Sequence, residues 1–115
     1  MAAMTYEDVY DALCETELPV IYNFWDSPEN IPALPYIVFT YPYHRDFYAD
    51  NANFAEIVGL QVSLYTSKKS ITTEKAVEAV LSAHFETWQK DSTYIPGDAV
   101  QETQYVLEVL IKNGE

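Results

Sequence analysis

The chain has 115 residues, 49% of them hydrophobic, one cysteine, and a formal net charge of −12 from 18 acidic and 6 basic side chains. That size suits one domain with its own core, so residues 1–115 are read as a single domain. A lone cysteine excludes an internal disulfide, the lack of a Cys/His cluster excludes a zinc site, and the acidity excludes a duplex-DNA binder, which needs Lys and Arg against phosphates. No run approaches the roughly 20 apolar residues of a membrane span, and no basic start followed by an apolar core marks a secretion signal. A soluble protein made in the cytoplasm is expected. Ten tyrosines, five phenylalanines and two tryptophans supply both core and contact surface, because such rings are enriched at interfaces.

The first element is a helix over residues 5–17. Thr5 stands at its cap, Asp8 where a capping box places its acid, and Tyr6, Val9, Tyr10, Leu13 and Cys14 recur at helical spacing. Cys14 belongs to that apolar stripe and is expected to be a packed rather than a reactive thiol. Pro19 ends the helix. Residues 20–25 are a short β-prone run, and residues 26–34, with Pro28 and Pro32, a connecting loop.

Two strands, residues 36–43 and 54–65, form the central hairpin. In the first, Ile37, Phe39 and Tyr41 share one face and Tyr36, Val38 and Thr40 the other, both apolar enough for a strand covered on two sides. Pro42 has no N–H to give a ladder, so regular pairing ends there. In the second, Val58, Leu60, Val62 and Leu64 alternate with Gly59, Gln61, Ser63 and Tyr65, the pattern of a half-buried antiparallel strand.

Between them lie residues 44–53, about ten where hairpin loops commonly have two to five. With its flanks this segment holds Tyr43, His44, Arg45, Phe47, Tyr48 and Phe54 among Asp46, Asp50, Asn51 and Asn53. It is too aromatic for disorder and is expected to be an ordered extension that docks on a partner; the other reading is that it folds back on its own sheet.

Residues 66–70 make a polar turn whose Lys68 and Lys69 are read as solvated. Ser70 or Thr72 caps a second helix to about Phe85, with the stripe Ala76, Val77, Val80, Leu81 and His84 towards the sheet and His84 read as structural rather than as a ligand. A short strand over 88–95, a Pro96-Gly97 type II turn and a last strand over 101–112 follow, the last with Tyr105, Leu107, Val109 and Ile111 on one face. The expected fold is α+β in the order α-β-β-β-α-β-β: a mainly antiparallel sheet of about four to five strands with two helices packed on one face.

Catalytic patterns are missing. There are no grouped glycines for a phosphate loop, no H-E-x-x-H and no nucleophile elbow. A dyad of Cys14 with His44 or His84 conflicts with a packed thiol, and neither Asp46 with Asp50 nor Asp26 with Glu29 has calcium-loop spacing. No enzyme activity, cofactor or metal is expected.

The runs Leu34-Pro35-Tyr36-Ile37-Val38-Phe39, Tyr48-Ala49-Asp50-Asn51 and Leu64-Tyr65-Thr66, the last followed by Lys68-Lys69 and a helix beginning near Glu74, resemble the small tail-completion proteins (tail terminators, or tail-to-head joining proteins) of long-tailed, non-contractile phages. Gln104-Tyr105 leading an alternating strand fits the same family, so the resemblance extends over nearly the whole chain from Tyr6. It implies a structural protein of the virion tail, assembled in the host cytoplasm, without catalysis or cofactor. Copies form a ring, commonly a hexamer, that caps the tail tube and joins it to the head connector. The implied partners are other copies of the chain, the tail tube protein and the connector; DNA passes without specific binding, and no membrane is involved.

An acidic lining would repel passing DNA, and a long aromatic loop suits ring closure, where one surface meets a different one on its neighbour. On this reading Tyr43, His44, Arg45, Phe47, Tyr48, Asp50, Asn51 and Phe54 are interface residues. Arg45 pairs with a neighbour's carboxylate, and Phe47 and Tyr48 supply buried area. The alternatives are another head-completion or tail-tube component or, from a different class, an acidic DNA mimic that regulates a basic partner.

Overall fold

The computed structural model describes residues 3–23, 31–45, 55–85, 87–97 and 99–112. Two helices, α1 (Tyr6–Cys14) and α2 (Ile71–His84), lie on one face of a sheet built from β1 (Ala3–Met4), β2 (Val20–Tyr22), β3 (Tyr36–Thr40), β4 (His44–Arg45), β5 (Ala55–Thr66), β6 (Gln89–Ile95) and β7 (Val100–Lys112). The class is α+β and the sheet is mainly antiparallel, as expected. Among the described residues it has seven strands rather than four or five, because the two-residue strands β1 and β4 extend it.

The spine is the antiparallel β5–β7 ladder, which runs from Ala55↔Lys112 to Thr66↔Gln101. Along the other edge of β7, β6 pairs with residues 100–106 and β1 with residues 110–111; along the other edge of β5 run β3 and β4, with β2 beyond β3. Among the described residues only the β1–β7 and β2–β3 pairs are parallel.

The long strands alternate as their sequences predict. Val58, Leu60, Val62 and Leu64 of β5 and Tyr105, Leu107, Val109 and Ile111 of β7 are all buried, and they meet Ile37 and Phe39 of β3, Val9, Ala12 and Leu13 of α1, and Val77 and Leu81 of α2 in one core. Each such aliphatic side chain contributes roughly 1.5–3 kcal/mol relative to exposure, so this helix-covered face holds the fold together. Beneath it the short helices need no great intrinsic stability, since packing of one face does the work.

α1 begins as predicted. Thr5 Oγ1 accepts the Asp8 N–H at 2.9 Å while Asp8 Oδ2 accepts the Thr5 N–H at 3.0 Å, a reciprocal capping box. The Thr5 N–H also holds the Asp8 carboxyl below its ordinary range. The helix stops at Cys14, short of residue 17. Glu15, Thr16 and Glu17 donate only to the carbonyls three residues back, and Glu17 takes a left-handed φ of 64°, so the chain has left the α-helix before Pro19.

The buried line of α1 is Val9, Ala12 and Leu13. Tyr10 and Cys14 are exposed, which corrects the expectation of a packed thiol. A stripe through residues 6, 9, 10, 13 and 14 spans both the core line and a flank beside it, and periodicity alone does not separate the two.

α2 is capped by Ser70, whose hydroxyl accepts the Thr73 N–H at 3.3 Å. Its buried residues are Glu74, Val77 and Leu81, whereas Ala76 and His84 are exposed and Val80 is half-buried. The inward face is thus rotated from the predicted one towards the side carrying Glu74 and Glu78.

Other boundaries shift. The strand expected over 20–25 ends at Tyr22, with Phe24 and Trp25 outside the described residues, and the strand expected over 36–43 ends at Thr40. Before β7 the turn is not type II about Pro96-Gly97. Ala99 N–H donates to Pro96 O at 3.2 Å, which makes Pro96 the first turn residue, and Ala99 rather than Gly97 takes the positive φ, 54°. Among the described residues no helix is long and apolar enough to cross a membrane.

Candidate interaction surface

Pairing of β3 with β5 stops at Thr40↔Gln61, where the missing N–H of Pro42 predicts a break, and resumes in β4 at His44↔Val58. Residues 41–43 then face only Gly59 and Leu60, so the strand carries a one-residue bulge. A shift of one residue exchanges the two faces for everything after it. Tyr41 continues the core-side series of Ile37 and Phe39, and beyond the bulge His44, opposite the buried Val58, returns to that same side.

Tyr43 falls on the other side. Its carbonyl accepts the Gly59 N–H at 2.8 Å, its ring covers Gly59, and its hydroxyl donates to Glu108 Oε2 at 2.7 Å. A Cβ at position 59 would overlap that ring. Glycine is therefore the residue that admits the fold-back.

The bulge leaves Tyr41 and His44 at the sheet margin beside α1. Together with Tyr6, Glu7, Tyr10, Tyr22 and Phe39 they line an open cleft of about 550 Å³. The rings form a continuous set: Tyr6 and Tyr41 stand edge to face at 4.9 Å, Tyr22 lies 5.7 Å from Tyr41 and 5.4 Å from Phe39, and Tyr10 lies 6.3 Å from Phe39. Tyr6 and Tyr10 come from successive turns of α1, and Tyr22 is the direct partner of Phe39 in the β2–β3 pair.

Carboxylates edge this cleft. Glu7 lines it, and Glu56 Oε1 lies 3.6 Å from His44 Nδ1. Burial first, then the charge of Glu56 and the neighbouring Tyr22, pushes the Tyr6 phenol above its ordinary value. The Tyr41 phenol is pushed up further by burial, with Tyr6 and Tyr22 adding to the effect. Its oxygen is closed off from water and has no hydrogen-bond partner. A buried hydroxyl in that state carries an unmet desolvation cost of about 1–3 kcal/mol.

At the opposite margin, β6 is exposed at every residue except Ile95. What fixes it, besides its ladder to β7, is an ionic cluster. Lys90 Nζ lies 2.7 Å from Glu74 Oε1 and 2.6 Å from Glu78 Oε2, Lys69 Nζ lies 3.0 Å from Glu74 Oε2, and the Tyr105 hydroxyl donates to Glu78 Oε2 at 2.9 Å. Lys90 also stands 6.0 Å over the Tyr105 ring. Burial opposes ionisation of both glutamates, but hydrogen bonds from Lys90 and Lys69 to Glu74, and from Lys90 and Tyr105 to Glu78, outweigh it and hold both carboxyls below 4.5. Lys69, read from sequence as solvated, is half of this arrangement.

Of the eight residues predicted as an interface, the structure describes Tyr43, His44 and Arg45. Phe47, Tyr48, Asp50, Asn51 and Phe54 lie outside the described residues. Tyr43 lies against its own sheet, Arg45 pairs with Ile57 through β4, and His44 borders the aromatic cleft. Sequence reasoning did not find Tyr6, Tyr10 and Tyr22 as parts of one surface; the i, i+4 spacing of the first two was the available signal, and it was absorbed into the core stripe. His84, expected to pack towards the sheet, is exposed, and its Nε2 lies 2.9 Å from Glu15 Oε1 just beyond α1. Among the described residues no group of three or more His, Cys, Asp or Glu could hold a metal ion. No protein-family model matches the chain, and no curated protein matches it in sequence.

Proposed function

We propose that the chain is a tail-completion protein of a long-tailed, non-contractile phage. Copies join side by side into a ring, with a hexamer expected, on the end of the tail tube; the ring stops tube growth, meets the head connector and lets DNA pass without binding it. The protein assembles in the host cytoplasm and stays in the virion tail, without catalysis or cofactor.

The observation that carries this reading is that one sheet ends in two unlike margins. On one side stands β6, a polar strand with six exposed residues; on the other, beyond β3, stand β2 and the aromatic cleft. Two different surfaces on opposite sides of a subunit are what head-to-tail contact requires, and such contacts close into a ring when the rotation per subunit returns to its start. An exposed strand edge is also a ready template for a neighbour's backbone. The net charge of −12 supports an inner surface that repels DNA, and the sequence resemblance supplies the tail as the setting.

Electron microscopy of particles from a phage lacking this gene tests the proposal. Tails of uncontrolled length, or tails unattached to heads, are expected. Tails of normal length joined to heads would refute it.

A further inference from the structure

We infer that the cleft formed by Tyr6, Tyr10, Tyr22, Phe39 and Tyr41 receives an arginine side chain from a partner protein. The inference stands apart from the tail-completion proposal, since it rests only on the chemistry of this site.

The lining is built mostly from aromatic rings, whose faces carry negative potential and attract cations within about 6 Å of their centroids. Glu7 lies in the wall, and Glu56 is close enough to act on Tyr6 and His44. Among the described lining residues His44 alone is able to carry positive charge, and it is engaged by Glu56 at the margin. A chain of net charge −12 draws cations rather than anions towards such a cleft.

The molecule holds the same combination elsewhere with its cation in place. Lys90 lies over Tyr105 and is gripped by Glu74 and Glu78. In the cleft the rings recur with Glu7 in the wall and Glu56 beside His44, and no lysine or arginine is among the described lining residues.

The aromatic walls select the kind of cation. A guanidinium is planar, stacks on aromatic faces and carries N–H donors in its own plane that can reach a carboxylate such as Glu7, whereas an ammonium is a compact and strongly hydrated point charge. Arginine therefore fits this cleft better than lysine.

The test is a titration of the full chain, carrying 13C-labelled tyrosine, with the capped tripeptides Gly-Arg-Gly, Gly-Lys-Gly, Gly-Gln-Gly and Gly-Phe-Gly, followed by ring resonances. The arginine peptide is expected to give saturable shifts at Tyr6, Tyr22 and Tyr41 and to bind about fivefold or more tightly than the glutamine peptide. Tyr22→Ala removes an exposed ring of the wall and should weaken arginine binding about threefold or more. The inference is overturned if the glutamine or phenylalanine peptide binds as tightly as the arginine one, if no peptide gives saturable shifts, or if the Tyr22→Ala variant binds arginine at full strength. Equal binding of the lysine peptide overturns the assignment of arginine.

Discussion

The ring of Tyr43 occupies the space that a side chain at Gly59 would need, and its hydroxyl reaches across to Glu108 on β7. This contact determines how the chain leaves the central ladder at Pro42 and re-enters it at His44. It also fixes which face of the sheet each of residues 41–44 occupies.

Gly59→Ala therefore has opposite effects in two backgrounds. With Tyr43 present, the new methyl group pushes the ring off its Glu108 bond and lowers stability by about 1–2 kcal/mol. In a Tyr43→Ala background no ring is displaced, and the same change raises stability by about 0.5–1 kcal/mol through reduced backbone entropy in the unfolded chain. A urea-unfolding double-mutant cycle reads the difference; the same sign in both backgrounds contradicts the fit described.

Lys90→Met removes the cation that separates Glu74 from Glu78. Breaking a fully buried pair costs about 3–5 kcal/mol, and because the Lys90 side chain is 33% exposed a smaller loss, about 1–3 kcal/mol, is expected. Lys75→Met, on an exposed position of the same helix, should stay within about 0.5 kcal/mol of the native protein. Amide hydrogen exchange should show the loss concentrated in β6, whose side chains otherwise make little contact with the core.

The pH profile follows from the same groups. Glu74 and Glu78 have folded values below 4.5, so their contribution is complete above that value and is lost as pH falls through the lower folded ones. Burial, helped by the Glu102 carboxylate that its hydroxyl bonds at 2.8 Å, raises Tyr65 to about 12, and Tyr41, Tyr105 and Lys90 are raised as well. Groups raised on folding stabilise fully below their unfolded values and lose that contribution as pH rises through the folded ones. Urea midpoints should therefore hold a plateau between about pH 4.5 and 10 and fall on both sides, with Glu74→Gln flattening the acid limb.

Cys14 is exposed on the flank of α1. A maleimide should label it to completion in the native protein, without denaturant, and Cys14→Ala should change stability by no more than about 0.5 kcal/mol. Labelling that appears only on unfolding would mean the thiol is packed.

Alternation in β5 and β7 was fully legible from the chain, because a strand with one covered face repeats every two residues whatever its neighbours are. The capping box of α1 was equally legible, since Thr5 and Asp8 answer one another within a single turn. Helix faces were less so. Glu74 looks like a solvent residue until Lys90, sixteen positions along the chain, is brought over it by the β6–β7 pairing, and there Lys90 and Lys69 together make the buried position tolerable.

The candidate surface shows the division most clearly. Local sequence determined that Pro42 interrupts the ladder, that residues 43–45 are aromatic or charged, and that Tyr6 and Tyr10 share a side of α1, because these depend on backbone chemistry and helix pitch. Only the tertiary structure decided that the interruption is a one-residue bulge, that Gly59 accommodates Tyr43, and that Tyr41 and His44 thereby share the side occupied by Tyr6, Tyr10, Tyr22 and Phe39. Register across strands far apart in sequence sets those contacts, and a shift of one residue would have placed every one of them on the opposite face.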